Sequence, residues 1–163
     1  MDDIQDIRSS PDLRRWIAAV APHYIEELVA VGAEYERDAQ GVWHPALLQY
    51  WLEEAGCSAL AFAPGGDPVA FAFLGLQSFP FRRQQTQYVL AEFWVAPERR
   101  RSGTGGAFAR SLFARFPGAW ELTVLPANTS ALAFWRAVIP ARQEIVAADG
   151  IDFVFECPLV GTP

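Results

Sequence analysis

Apolar positions recur at helical spacing in the first third of the chain, whereas its middle and end break into short β-prone runs separated by Gly and Pro. Ser10 followed by Pro11 supplies an N-cap and a first-turn proline, and Trp16, Ile17 and Val20 make the stripe of the helix they open. Pro22 predicts a kink or restart. Beyond it Tyr24, Ile25, Leu28, Val29 and Val31 keep helical spacing while Glu26, Glu27, Glu34 and Glu36 face outward, so helix is expected to fade near Asp38. Residues 46–55 predict another helix, with Leu47, Leu48, Trp51 and Leu52 on one face and Gly56 as its stop.

The strands follow. Residues 4–8 form a short one before the first helix, and 58–63 and 69–76 flank Pro64-Gly65-Gly66-Asp67-Pro68, which predicts an antiparallel hairpin. Residues 87–95 are a further strand, leading through a Gly-rich segment into a helix over 105–116 that Pro117 and Gly118 end. A strand over 120–125, a helix over 130–138 and a hairpin of 143–147 with 152–157 across Ala148-Asp149-Gly150 complete the chain. No repeat or long linker interrupts this order, so residues 1–163 are read as one α/β domain. Strand, glycine-rich turn, helix and strand again imply a mixed sheet whose parallel part carries a crossover helix, and ligands favour the carboxyl ends of such strands.

Charge and composition narrow the function. A net charge of -6 argues against a nucleic-acid partner, which needs a surplus of Lys and Arg, and suits a cationic substrate or plain solubility. Cys57 and Cys157 lack metal-site or disulfide spacing, so reduced, buried thiols are expected. The start lacks a basic and apolar leader pattern and no stretch offers eighteen apolar residues, which predicts a cytoplasmic protein with no membrane span.

Chemistry concentrates between Val95 and Ala107, where a strand end meets Arg99, Arg100 and Arg101, then Ser102-Gly103-Thr104-Gly105-Gly106 and a helix start. Small residues let backbone N–H groups turn toward an anion, and the helix N-terminus adds about half a positive charge. The glycines spell neither GxxxxGK[ST] nor GxGxxG, so the two common nucleotide loops do not apply. A glycine-softened turn with a solvated basic run is the bland alternative.

Arg100 to Gly105 matches R-x-x-G-x-G, and Val124, Asn128, Ala131 and Phe134 match V-x-x-x-N-x-x-A-x-x-F-Y, with Trp135 where tyrosine is usual. Together they resemble the GNAT superfamily of acetyl-CoA-dependent N-acetyltransferases. The resemblance implies a mostly antiparallel sheet of about six to seven strands flanked by about four helices. It implies that Arg100, Arg101, Ser102, Gly103, Thr104, Gly105 and Gly106 hold the pyrophosphate of acetyl-CoA. It further implies that backbone groups at Val95 meet the pantetheine arm and thioester, that Asn128 touches the arm, and that homodimers are usual. Read as a residue, Asn128 equally suits capping of the helix after it.

Acyl transfer to an amine needs a base and a proton donor for the departing thiolate. Glu92, three residues before Val95, is the candidate base, against a half-exposed strand glutamate; Glu121 on the following strand is the runner-up, or merely superficial. His23 and His44 read as structural or surface residues. An indole at Trp135 is a poor proton donor, leaving water, Ser130 or Tyr88 as substitutes. Arg82 and Arg83, if they point inward, favour an acidic acceptor, whereas Glu26, Glu27 and Glu34 favour an amine. The expected activity is acetyl transfer to a primary amine by direct attack in a ternary complex; the rival is a non-catalytic acyl-CoA-binding regulatory module.

Overall fold

The Ser10 hydroxyl accepts from the Leu13 N–H at 3.3 Å and opens α1 (Pro11–Ala30), in a computed structural model that describes residues 3–158. Pro22 neither splits nor restarts α1, which carries the loss of one intrahelical bond. The helix stops well before Asp38. Gly32, at φ 101°, sends its N–H to the Val29 carbonyl, and Ala33 sends its own to Leu28, both within 3.1 Å. This Schellman end satisfies the last carbonyls and needs a left-handed glycine. Glu34 and Glu36 consequently lie in a loop rather than on a helix face.

The loop runs to α2 (Ala46–Glu53), and an isolated bridge between Arg37 and Trp43 folds it on itself. The first strand is shorter than expected, β1 (Ile4–Asp6), because Asp6 caps a 3-10 turn by accepting from the Arg8 N–H at 2.8 Å. The remaining elements are β2 (Cys57–Phe62), β3 (Ala70–Gly75), β4 (Tyr88–Val95), α3 (Thr104–Arg115), β5 (Gly118–Val124), α4 (Thr129–Val138), β6 (Gln143–Ala147) and β7 (Gly150–Cys157).

The seven strands form one sheet in the order β1-β2-β3-β4-β5-β7-β6. Only β4 and β5 run parallel, with α3 as their crossover; every other pairing is antiparallel. The expected mixed, mostly antiparallel architecture with four helices is what the chain adopts.

One core lies between the sheet and α1 and α2, around Ile17, Trp51, Phe71 and Phe73; the other lies under α3 and α4, around Phe108, Leu112, Leu122 and Leu132. β3 explains its unbroken apolar run: Phe71 and Phe73 fill the first core while Ala70, Ala72 and Leu74 face the second, so both sides are covered. Each such ring stabilises the fold by about 1.5–3 kcal/mol. Cys57 is buried and Cys157 half-buried, and both are free. Among the described residues no helix is long and apolar enough to cross a membrane.

Candidate active site

The site begins where β4 leaves its neighbour. β4 pairs with β5 only from Tyr88↔Trp120 to Leu90↔Leu122, and beyond this the two parallel strands diverge. The β5-facing peptide groups of the second half of β4 therefore have no strand partner, and such groups must find one elsewhere. On its other edge β4 stays paired to β3, with one irregularity: Phe73 faces Glu92 and Leu74 faces Leu90, so Ala91 is an extra residue.

This bulge decides where Glu92 points. With strict alternation Glu92 would share the α3 and α4 face with Leu90. Ala91 shifts the phase, so that Phe93 and Val95 turn to that face while Glu92 and Trp94 turn toward α1. There Tyr24 of α1 donates its hydroxyl to Glu92 Oε2 in a short hydrogen bond.

Burial pushes the Glu92 carboxyl up to about 7, and the bond from Tyr24 acts in the opposite direction. Tyr24 is raised well above an ordinary phenol, by burial first and then by the charge of Glu92. Tyr35, in the loop after α1, is raised by burial and by the same carboxylate, which places a second phenol near it. Sequence reasoning assigns neither tyrosine to the site. A usable signal exists for Tyr24: it lies on the buried stripe with Ile17 and Ala21, where a phenol needs a polar partner.

The Gly-rich segment after β4 turns into a helix, as the sequence suggests. Arg101 at φ 57° and Gly103 at φ 86° are both left-handed, and they bring the chain from β4 into the first turn of α3. Ser10 caps α1 and Asn128 caps α4, but among the described residues no side chain caps α3, so its first amides have no side-chain acceptor. Space at Gly103 is open, whereas a Cβ on Gly105 would stand 3.1 Å from Phe134 and 3.5 Å from Val95. Gly105 thus lets α3 pack against α4 and β4, and a Cβ on Gly106 would meet only the Arg110 guanidinium. Ser102 and Thr104 hydroxyls are 2.9 Å apart, and Ser102 donates to the Arg99 carbonyl at 2.7 Å.

Arg100 lies in this loop with its guanidinium folded back, donating to the Val95 carbonyl at 2.8 Å and to both oxygens of Glu27. Arg99 and Arg101 are exposed. Asn128 accepts from the Ala131 N–H at 3.2 Å, the capping role, while its amide NH2 has no protein partner among the described residues. Trp135 is buried and meets Phe93 edge-on at 5.0 Å, forming the wall of the core under α4.

Tyr88 and Glu121 lie away from the loop before α3. Tyr88 lies tilted against Trp120 at the start of β4, roughly 20 Å from Val95 at the usual rise per residue. Ser130 is exposed in the first turn of α4. Glu121 is buried rather than superficial: it accepts from the Arg83 and Gln84 amides at 2.7 and 2.9 Å and from Thr86 Oγ1 at 2.6 Å, anchoring the segment before β4. Arg82 donates to the Leu76 and Thr86 carbonyls and Arg83 to Asp149 and Asp152, so both arginines are bound within the fold.

Beside Tyr35 the loop between α1 and α2 borders an open cavity of about 200 Å³, lined in part by Glu34, Tyr35, Glu36 and Trp43. Glu26 holds the loop down, accepting from Arg37 at 2.6 Å and from the Trp43 indole at 3.1 Å, and the Arg37 guanidinium lies 3.7 Å over the Trp43 ring. His23 is exposed on α1, and exposed His44 accepts from the Ala46 N–H at the start of α2.

No curated protein matches the sequence. Among solved structures the fold is similar to an acetyltransferase from Thermus thermophilus, with a TM-score of 0.67 at 17% identity over 96% of this chain and 99% of that one. It is similar also to the ribosomal-protein-S18-alanine N-acetyltransferase from Escherichia coli, with a TM-score of 0.57 at 16% identity over 99% and 97% of the two chains. At such identities the likeness concerns the fold. The sequence profile of the acetyltransferase (GNAT) family, however, matches residues 17–138, a span that contains Tyr24, Glu92, the loop before α3 and Asn128, and the chain belongs to that family.

Proposed function

We propose that this chain transfers an acetyl group from acetyl-CoA to a primary amine by direct attack in a ternary complex, with Glu92 taking the proton from the amine. The observation that carries this reading is Glu92 itself, a carboxylate turned by the Ala91 bulge to the edge of the gap between β4 and β5 and raised to about 7. A base with that affinity exchanges protons efficiently at neutral pH.

The residues present suit acetyl-CoA. The uncapped first turn of α3 offers amides to its pyrophosphate, left-handed Gly103 lets the backbone approach closely, and the open edge of β4 offers peptide groups to its arm. Acetyl-CoA supplies the activated thioester. Arg100 would turn the nitrogen it gives to Glu27 toward anionic groups by leaving that carboxylate, and the Asn128 amide is available as a donor. Glu92 removes the proton, and the divergent half of β4 holds the thioester within reach.

An amine acceptor is favoured because Arg82 and Arg83 are committed to the fold, leaving Glu34 and Glu36 beside the aromatic rings of the loop cavity. The test is acetyl-CoA consumption against a panel of amines: spermidine, phenethylamine, an aminoglycoside, a lysine peptide and a peptide with a free N-terminus. Turnover with at least one is expected. Saturable acetyl-CoA binding without turnover on any would replace the enzyme with a non-catalytic binding module.

A further inference from the structure

Glu92 and Tyr24 come from elements far apart in sequence, and the fold brings them together through two unrelated features. The bulge at Ala91 turns Glu92 toward α1, and the buried stripe of α1 carries a phenol where an aliphatic residue would serve packing alone. The ring of Tyr24 is held by an edge-on contact with Phe71 at 5.3 Å, so the hydroxyl has little freedom to miss the carboxylate. On the reading that Glu92 is the base, we propose that Tyr24 is its positioning residue, pinning Oε2 by a donated hydrogen bond and leaving Oε1 to accept the proton from the amine.

The groups around the pair are few. Among the described residues Tyr24 from α1 and Tyr35 from the following loop are the titratable groups that interact with Glu92, the Phe93 backbone also bonds to Tyr24, and β3 presents Phe73 across the ladder. Burial by itself favours the protonated carboxyl, which accepts no proton. The donated bond favours the ionised form and opposes that effect. In the step itself the ammonium gives one proton to Oε1, the freed lone pair forms the bond to the thioester carbon, and a second proton leaves nitrogen for the departing thiolate. The C–S bond breaks with its electron pair on sulfur, and Tyr24 keeps its proton throughout.

Tyr24→Phe keeps the ring and its contact with Phe71 and removes only the hydroxyl. Two readouts are taken on the whole chain: the carboxyl titration of Glu92 by 13C NMR without substrate, and the pH profile of kcat/KM with acetyl-CoA and the fastest amine of the panel. The NMR midpoint should rise, and the acid limb of the rate profile should rise with it. A midpoint higher by one pH unit lowers the rate at pH 7 by about fivefold through the smaller ionised fraction, with acetyl-CoA affinity unchanged. Incorporation of 3-fluorotyrosine at position 24, a stronger donor of the same shape, should move both readouts the other way, and it serves where Tyr24→Phe fails to fold. An NMR midpoint or rate profile that stays in place in the folded variants overturns the proposal. Glu92→Gln separates the two readings: if it abolishes the acid limb while the Tyr24 variants keep theirs, the base stands and the positioning role falls, and if it keeps full kcat both fall.

Discussion

Arg100 donates from one terminal nitrogen to both carboxylate oxygens of Glu27, at 2.9 and 2.8 Å, so the loop before α3 is tied directly to α1. Both side chains are about two-fifths exposed, and exposed pairs of this kind add less than about 1 kcal/mol to stability. Glu27 nevertheless competes with a phosphate for that nitrogen of the guanidinium. Glu27→Gln is expected to leave the melting temperature nearly unchanged and to tighten acetyl-CoA binding about two- to fivefold, a gain within the range of such pairs. Isothermal titration calorimetry checks this. Unchanged affinity would mean that Arg100 stays with α1 when acetyl-CoA is bound.

Gly103 and Gly105 should fail differently. Acetyl-CoA at a hundredfold excess over its dissociation constant should add about 2.7 kcal/mol of stability to the unmutated chain. Gly103→Val places a β-branched residue at φ 86° in open space, so the protein should fold with a modest penalty and lose that gain. Gly105→Val presses on Phe134 and should lower stability itself by about 1–3 kcal/mol. Denaturant titration with and without acetyl-CoA distinguishes the two.

The raised carboxyl of Glu92 links folding to pH. Its folded value of about 7 lies above the ordinary value of 4.5, so the folded state holds this proton more tightly than the unfolded chain. Its contribution is complete below about pH 4.5 and fades as pH rises through 7. Glu92→Gln should therefore match the parent in melting temperature near pH 5 and exceed it at pH 8. A constant difference across that range would show that Glu92 titrates normally.

As base, Glu92 should also dominate kcat. Glu92→Gln is expected to lower kcat by about 10² to 10⁴ while leaving acetyl-CoA affinity nearly unchanged, and the loss should shrink at high pH, where more amine is already neutral. Steady-state kinetics from pH 6 to 9.5 provides the check.

Trp135 offers a test of the proton donor. Its ring packs against Phe93 and Phe134, so Trp135→Tyr should cost about 1–3 kcal/mol through the smaller side chain. It also introduces a phenol near the widening gap, which should raise kcat if protonation of the departing thiolate is slow. A solvent isotope effect in the parent that diminishes in the variant accompanies that outcome. An unchanged kcat with no isotope effect places the slow step in attack or release.

Much of this was legible in the chain because local rules governed it. Ser10-Pro11 and Asn128 announce helix starts, the Pro64 to Pro68 turn announces a hairpin, and the glycines after Arg101 announce an open helix end. What escaped depends on partners distant in sequence. Gly32 ends α1 through backbone bonds, whereas the spacing of Glu34 and Glu36 reads as helix continuing toward Asp38. Glu121 reads as an outward strand residue until the segment from Arg83 to Thr86 folds its donors onto it. Tyr24 looks like a core aromatic until β4 supplies a carboxylate.

One inserted residue gives β4 two reading frames. Before Ala91 the rhythm of the strand sends even-numbered residues to the α3 and α4 face; after it the same rhythm sends them toward α1. Deleting Ala91 would leave the composition of β4 almost untouched yet exchange the destinations of everything upstream or downstream of it. If the end of the strand moved, a carboxylate would enter the aromatic wall around Phe108 and Trp135, and Phe93 would face Tyr24. Glu92 therefore owes its address to a count rather than to its neighbours, and a shift in length is more damaging here than most changes of side chain.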